Sequence, residues 1–271
     1  MQKLLIAVLG APALAAALAL PAPARAGDVA MRVQDVPLGP RALAGTAPAI
    51  HFNMVALHWR GSGTVRYRTR RLHGGWRPWT AADADVAPDG GTGAWHDGDL
   101  AWVGASSAIQ YRTRGTIHAL RSYELWSRVT RAATRTLSEA GSPRIVTRAG
   151  WDANQEIVRA KPSYGPQLKL AVVHHTAGTN NYTPAQAAAI VRGIEVYHVE
   201  ANGWNDIGYN FLVDRFGTVY EGRAGGMARN VIGAHAEGFN TGSVGVALIG
   251  NFQTAQPTAA QQDALVKLLA W

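Results

Sequence analysis

The stretch Leu170-Ala-Val-Val-His174-His175-Thr176 decides the interpretation of the second half of the chain. Its apolar run, over residues 168–173, has the length of a buried strand, and two histidines follow at its end. Neighbouring residues of a strand point to opposite sides, so we expect only one imidazole to face a given pocket. The functional interpretation is one metal ligand beside one substrate-facing group. Taken alone, a pair of histidines in the core or in a turn would be the better explanation.

Two helix starts can be recognised around this stretch. Residues 183–186, Thr-Pro-Ala-Gln, have the N-cap, the first-turn proline and the closing glutamine of a capping box, and this helix should run to about Ala201. Residues 258–261, Thr-Ala-Ala-Gln, open a last helix with a second capping box. That helix stops at Trp271 without a glycine or asparagine cap, so we expect the natural gene to continue past this residue.

Strand patterns fill the space between the two helices. Residues 209–213 and 218–221 flank Asp214-Arg-Phe-Gly217, which predicts a hairpin turn. Residues 244–249 predict another buried strand. Together these elements predict an α/β domain with a mixed central β-sheet and flanking helices.

Six short motifs stand in a fixed order along this domain and give it a family resemblance. They are Arg148-Ala-Gly-Trp151, the histidine pair, Gly203-Trp204-Asn-Asp-Ile-Gly-Tyr209, the stretch from Asp214 to Arg223, Gly233-Ala-His235 and the stretch from Asn240 to Asn251. In this order and spacing the set resembles the type 2 amidase and peptidoglycan-recognition protein family, over about residues 143–271. Each motif alone is weak, and their combination is specific.

The resemblance implies zinc-dependent hydrolysis of the amide bond between N-acetylmuramic acid and L-alanine in peptidoglycan. It implies that His174 is a Zn²⁺ ligand and that Tyr209 is catalytic. A catalytic zinc needs three protein ligands and an open position for water. The family takes its other two ligands from a C-terminal segment, which we expect beyond Trp271, so the chain as given should be nearly inactive.

The residue types suit amide hydrolysis, which passes through a tetrahedral oxyanion. A phenol such as that of Tyr209 can donate a hydrogen bond to this anion or orient the zinc-bound water. Some family branches place a glutamate on the later strand, but residues 243–250 contain no acid, which favours Tyr209. The alternative for Tyr209 is ordinary strand packing.

The resemblance also implies a set of substrate contacts along a cleft. Arg223 could pair with a stem-peptide carboxylate, whereas His198, late in the first helix, is better explained as a structural residue. The full predicted set is His175, Thr176, Trp204, Arg223, His235 and Asn240.

The first 26 residues predict a cleaved signal peptide. A short positive start precedes an apolar run over residues 4–20, and Ala24-Arg25-Ala26 has the small-x-small pattern of a cleavage site. The alternative is an uncleaved membrane anchor. A cleaved signal predicts a protein secreted by a bacterium and located at its cell wall.

Residues 27–126 predict a small all-β domain, interpreted as a β-sandwich, and residues 127–143 predict a linker before the catalytic domain at 144–271. Residues 65–70 and 109–114 alternate apolar and polar side chains with similar sequences, which suggests a duplicated hairpin. Six of the nine tryptophans fall in this region. Core packing explains tryptophans in a small β-domain better than glycan stacking does, although both interpretations stay open.

The net charge indicates which partners to expect, and the cysteine count excludes some kinds of catalytic and metal-binding group. The formal net charge is +8, and a basic secreted protein is attracted to polyanions, so anionic wall polymers are candidate partners beside muramyl peptides. Nucleic acid is disfavoured because no basic and aromatic binding motif occurs, and no membrane contact is expected after signal cleavage. The chain contains no cysteine, which excludes disulfides, thiolate nucleophiles and cysteine ligands within it.

Two functions therefore remain open at this stage. The first is a secreted zinc amidase that cuts peptidoglycan. The second is a non-catalytic peptidoglycan-binding recognition protein, since such relatives keep the cleft and lose a zinc ligand. The histidine and tyrosine pair favours the enzyme, and the missing ligands favour the binding protein.

Overall fold

The computed structural model describes residues 29–39, 51–83, 95–130, 136–137 and 143–271. The predicted signal peptide and most of the predicted linker lie outside the described residues. Two short 3₁₀ helices, Arg148–Gly150 and Gln155–Ile157, accompany the main elements. These are β1 Val29–Asp35, β2 Phe52–Arg71, β3 Thr80–Ala81, β4 Trp95–Asp97, β5 Ala101–Ser127, β6 Thr136–Leu137, β7 Ile145–Val146, β8 Leu170–His175, α1 Pro184–Val196, β9 Phe211–Val213, β10 Val219–Glu221, β11 Ser243–Leu248 and α2 Ala259–Ala270.

Strands β1 to β5 form one five-stranded sheet, which we call the N-terminal unit. The two stretches of similar sequence lie opposite each other on β2 and β5, with Val65 facing Thr113 and Tyr67 facing Tyr111. Residue numbers rise along one strand while they fall along the other. The expectation of a duplicated hairpin was therefore wrong for the described residues, whereas the all-β domain was predicted correctly. Both stretches belong to long continuous strands of 20 and 27 residues that pair with each other.

Strands β6 to β11 form a second, six-stranded sheet, which with α1 and α2 makes the C-terminal unit. Its strand order is β6-β7-β10-β9-β11-β8, with parallel and antiparallel pairs, as expected for a mixed sheet. Strand β11 is buried, as predicted. The prediction that β8 is a buried strand was wrong, because it is the last strand in this order and Leu170 is 46% exposed.

Helix α1 begins as its sequence predicts. Thr183 is the N-cap, and its backbone N–H donates to the side chain of Gln186 at 2.7 Å, which forms half of a capping box. The helix continues directly into a π-helical turn, Tyr197–Ala201. Single π turns inside helices are common at functional sites, and this one turns Tyr197 and His198 toward the side of the molecule where the site lies.

The hairpin and the last helix are held together by polar contacts. Asp214 accepts hydrogen bonds from the backbone N–H groups of Phe216 and Thr218, and Gly217 has a φ of 82°. Helix α2 starts at the N-cap Thr258 as predicted, but the second capping box is only half formed. The side chain of Gln261 is fully buried and donates to the carbonyl of Val213 at 2.9 Å instead of reaching back.

The Arg148-Ala-Gly-Trp151 motif anchors a buried charge network. Arg148 lies 2.7 Å from a carboxylate oxygen of Glu195 and 3.2 Å from one of Asp206. The indole N–H of Trp151 donates to the carbonyl of Glu221 at 2.7 Å. Because a buried charge is costly unless it is paired, this network fixes α1 against the chain that leads to the site.

The two units share one hydrophobic core. Met54, Leu100 and Trp102 of the N-terminal unit belong to the same cluster of buried residues as Ile190 and Ile194 of α1. The helix can approach so closely because Gly193 has no side chain, since a Cβ there would overlap Met54. No helix among the described residues has both the length and the apolar character needed to span a membrane.

Candidate functional site

Two imidazoles and a phenol meet at the end of strand β8. His174 Nε2 lies 3.2 Å from His235 Nδ1, and the two ring centroids are 5.2 Å apart. The ring of Tyr209 lies 5.5 Å from that of His174. Three residues that are 26 to 61 positions apart in the sequence are thus brought together by the pairing of β8 with β11 and by the loop before β9. They form the chemical centre of the site.

The loop that carries His235 is shaped by Asn240 and by a glycine. The side-chain oxygen of Asn240 accepts from the backbone N–H of His235 at 2.8 Å and from that of Ala236 at 3.0 Å. A Cβ at Gly245 on β11 would overlap the imidazole of His235. Because Gly245 has no side chain, strand β11 leaves room for the imidazole of His235 to contact His174.

Burial keeps two histidines near the centre neutral. Burial, the adjacent His174 and Arg223 lower the pKa of His235 to about 4. Burial and Arg223 lower the pKa of His198 to about 3. His198 Nδ1 accepts a hydrogen bond from the backbone N–H of Gly208 at 3.0 Å, so its lone pair is occupied in holding the chain that leads to Tyr209. This contact fits the structural role expected for His198.

The site lies in a cleft of about 910 Å³ with walls from both units. The C-terminal unit contributes the histidine centre, His175, Tyr197, His198, Trp204 and Phe252. The N-terminal unit contributes residues that the sequence did not single out, because only the packing of the units brings them to this cleft. They are His58, Trp95, Asp97, Asp99, Arg121 and Tyr123.

The remaining predicted contacts divide into those that border the cleft and those that do not. Trp204 borders it and packs against His198 with ring centroids 4.5 Å apart. His175 also borders it, although we expected one imidazole of the pair to face elsewhere, and its Nδ1 accepts from the backbone N–H of Phe252. Both imidazoles can reach one cavity because they stand at the end of β8, where the chain leaves the sheet.

Thr176, Asn240 and Arg223 are not among the residues that border the cleft. Thr176 is buried, and its hydroxyl accepts from the backbone N–H of Gly250 at 3.0 Å. Asn240 acts through the loop of His235. Arg223 borders two other cavities, and it reaches the site through its charge, which lowers the pKa values of both buried histidines.

The described residues do not complete a catalytic zinc site. Such a site takes three protein ligands, and in the part of the chain that the structure describes no three histidine, aspartate, glutamate or cysteine side chains are placed so that they could hold a metal ion. His174 and His235 are two imidazoles in direct contact. They supply nitrogen donors of the type that zinc prefers.

Comparison with known proteins gives the same family as the motifs. Residues 164–271 match the family model described as N-acetylmuramoyl-L-alanine amidase, and residues 14–143 match one described as Rv3811 N-terminal galactose-binding domain-like. Residues 164–271 therefore belong to the type 2 amidase and peptidoglycan-recognition protein family. Its fold is the amidase type of mixed sheet with helices, preceded by a galactose-binding-like all-β domain.

Individual relatives come from animals. The chain is 42% identical over 128 residues to peptidoglycan-recognition protein SC2 of Drosophila simulans, covering 46% of this chain and 65% of that protein. It is 38% identical over 148 residues to human N-acetylmuramoyl-L-alanine amidase, covering 51% of this chain and 24% of the human protein. The chain thus spans somewhat less than two thirds of the first of these relatives.

A solved structure is also similar over the same region. It is human PGRP-IBETAC in complex with glycosamyl muramyl pentapeptide, at 30% identity and a TM-score of 0.42, covering 46% of this chain and 73% of that one.

Proposed function

We propose that this protein binds muramyl peptides of peptidoglycan in the cleft and hydrolyses the amide bond between N-acetylmuramic acid and L-alanine. One observation carries the proposal, namely the meeting of His174, His235 and Tyr209 in a cleft of about 910 Å³. The relatives named for peptidoglycan recognition and for the amidase reaction support it. Export to the bacterial cell wall, where this substrate occurs, is part of the same proposal.

The roles of the chain's own residues follow from their chemistry. The phenol of Tyr209 would donate a hydrogen bond to the oxygen of the reacting carbonyl as negative charge develops there. His235, neutral near pH 7 because its pKa is about 4, holds its imidazole against His174 without adding a repelling charge. Trp204 borders the cleft and packs against His198, where its indole would shield a bound peptide from water.

We propose Zn²⁺ as the cofactor and His174 as one of its ligands. Zinc would polarise the carbonyl and activate water. This part rests on the family resemblance, because the described residues hold only two candidate donors at the centre.

The test of hydrolysis uses purified peptidoglycan and the release of free stem peptides. The protein for this assay and for the sedimentation assay is the chain extended beyond Trp271 with the family's C-terminal ligand segment. We expect it to release stem peptides with added Zn²⁺ and to stop releasing them when a chelator is present. His174→Ala should abolish release and lower the bound zinc, whereas His73→Ala, at an exposed imidazole of the N-terminal unit, should change neither. Cleavage that resists the chelator would contradict the zinc mechanism, and full zinc content in His174→Ala would contradict the ligand assignment.

A non-catalytic peptidoglycan-binding protein is the second candidate. The observation that favours it is the pair of imidazoles in place of a group of three metal donors among the described residues. Sedimentation with insoluble peptidoglycan separates the two functions. A protein that co-sediments but releases no stem peptide with zinc present is the binding protein, and one that does both is the enzyme.

A further inference from the structure

We propose that the N-terminal unit forms part of the peptidoglycan site, and that Trp95 with Arg121 binds a sugar ring of the glycan strand. This inference rests on the proposed function, because it assumes that a muramyl peptide lies in the cleft. It assigns the glycan-binding interpretation of the tryptophan-rich region to one particular residue.

Polar contacts hold the two units in a fixed relation. His58 Nε2 lies 2.5 Å from the hydroxyl of Tyr197, and that hydroxyl donates to the carbonyl of Gly98 at 2.5 Å. On another side, the side chain of Gln253 donates to both carboxylate oxygens of Asp83 at 3.0 and 2.8 Å. These contacts add to the shared hydrophobic core around α1. A wall supplied by the N-terminal unit is therefore as well positioned as one supplied by the sheet that carries His174.

The wall that the N-terminal unit contributes presents an aromatic ring together with a guanidinium group. Trp95 and Arg121 both border the cleft, and the guanidinium carbon of Arg121 lies 5.1 Å from the centre of the Trp95 ring. Arg60 lies 4.7 Å from the same ring. Trp95 is half-buried, and both guanidinium groups lie over its ring. An aromatic surface beside guanidinium donors offers apolar contact and hydrogen bonds together.

A sugar ring suits these side chains chemically. A pyranose ring has apolar C–H faces that pack on an indole, and its hydroxyl and acetamido oxygens accept hydrogen bonds from a guanidinium. Asp97 and Asp99 of the N-terminal unit border the same cleft. Their negative charges disfavour the free carboxylates of a stem peptide on this wall, whereas a neutral sugar carries no such penalty.

The sugar must also lie close to Trp95 when the amide lies at the histidine centre. N-acetylmuramic acid is joined through its lactyl group to the amide that the proposed reaction breaks. When this amide lies at His174 and Tyr209, the sugar must occupy the cleft next to it. The cleft has Trp95 on the wall that the N-terminal unit contributes. The glycan side of the substrate thus has an aromatic partner in the same cavity.

The experiment compares two ligands by isothermal titration calorimetry. One is a synthetic stem peptide without sugar, and the other is an N-acetylglucosaminyl-N-acetylmuramyl peptide with the same amino acids. Trp95→Ala should weaken binding of the sugar-bearing ligand about tenfold, in the range of a buried aromatic contact at an interface, and should change binding of the bare peptide less than about twofold.

Trp79→Ala is the matched control. Trp79 is also half-buried and also packs against guanidinium groups, with Arg112 at 4.2 Å and Arg68 at 4.8 Å, but it does not border this cleft. It should bind both ligands as the wild type does. If Trp95→Ala fails to fold, Arg121→Gln replaces it, with an expected loss of about threefold on the sugar-bearing ligand only.

The outcomes are distinguishable. If Trp95→Ala and Trp79→Ala bind the sugar-bearing ligand equally well, or if Trp95→Ala weakens both ligands to the same extent, the inference is wrong while the proposed function stands. If the wild type binds neither ligand, the proposed function itself is wrong and the inference falls with it. A selective loss on the sugar-bearing ligand supports both.

Discussion

His198 should make the stability of this protein depend on pH, and the effect can be isolated with a single substitution. The imidazole is buried, its Nδ1 accepts from the backbone N–H of Gly208, and burial with the charge of Arg223 lowers its pKa from 6.5 to about 3. The rings of Tyr197, Trp204 and Tyr209 pack against it and bring no carboxylate.

The direction of this pH dependence is set by the proton that His198 binds in the unfolded chain. Between pH 6.5 and about pH 3 the unfolded chain binds a proton at this position and the folded protein does not, so stability is full above pH 6.5 and falls as the pH decreases. Each pH unit corresponds to about 1.4 kcal/mol. Between about pH 8 and about pH 5 this group alone should lower the free energy of unfolding by about 2 kcal/mol.

The substitution His198→Asn removes the titration and keeps the hydrogen bond, because the amide oxygen can accept from Gly208. The assay is urea denaturation of both proteins across this pH range. The variant should be less stable than the wild type near neutral pH, and its curve should fall by about 2 kcal/mol less on acidification. His58 and His235 titrate in both proteins and cancel in the difference. Two profiles that run parallel within about 0.5 kcal/mol would refute this account of His198.

Three further substitutions test the packing. Gly245→Ala should place a methyl group where the imidazole of His235 lies and lower the free energy of unfolding by about 1–3 kcal/mol. It should also separate His174 from His235 in a crystal structure. An unchanged contact between the two histidines would contradict this account. Gly193→Ala should destabilise less, because the added methyl group meets the flexible end of Met54 and Ala gains about 1 kcal/mol of helix propensity over Gly. The double variant with Met54→Ala should show a coupling above about 0.5 kcal/mol in denaturant titrations, whereas additive effects would argue against the clash. Gln261→Leu should cost about 1–3 kcal/mol because buried carbonyls lose their donor, and a thermal melt within error of the wild type would count against this role.

Local signals predicted the parts of the fold that local interactions control. The helix start at Thr183 and the hairpin turn at Asp214 were predicted correctly because caps and turns depend on residues within a few positions of each other. The half-formed capping box at Gln261 was not predicted, since a buried carbonyl on another element competes for the same amide. The exposure of β8 was missed for a related reason, because an apolar run does not reveal which strand stands last in a sheet.

The residues of the candidate site were likewise predicted only in part from the sequence. The resemblance identified His174, Tyr209 and His235, which the structure places together. It did not identify Thr176 as a buried contact of Gly250, because burial depends on the strand beside it. Nor could it place the residues of the N-terminal unit in the cleft, since they carry no motif and reach the site only through packing against α1.

The shared core limits how the two units could have separate functions. Ile190 and Ile194 of α1 would be exposed to water if the N-terminal unit moved away, and so would Met54 and Trp102 on the other side. Each such side chain contributes about 1.5–3 kcal/mol when it is fully buried, so separation would cost several kcal/mol before any polar contact is counted. The N-terminal unit is therefore not free to act as a distant anchor for the wall polymer. A ligand bound in the shared cleft therefore meets the wall of the N-terminal unit together with the histidine centre, which is the geometry that the proposed sugar contact at Trp95 requires.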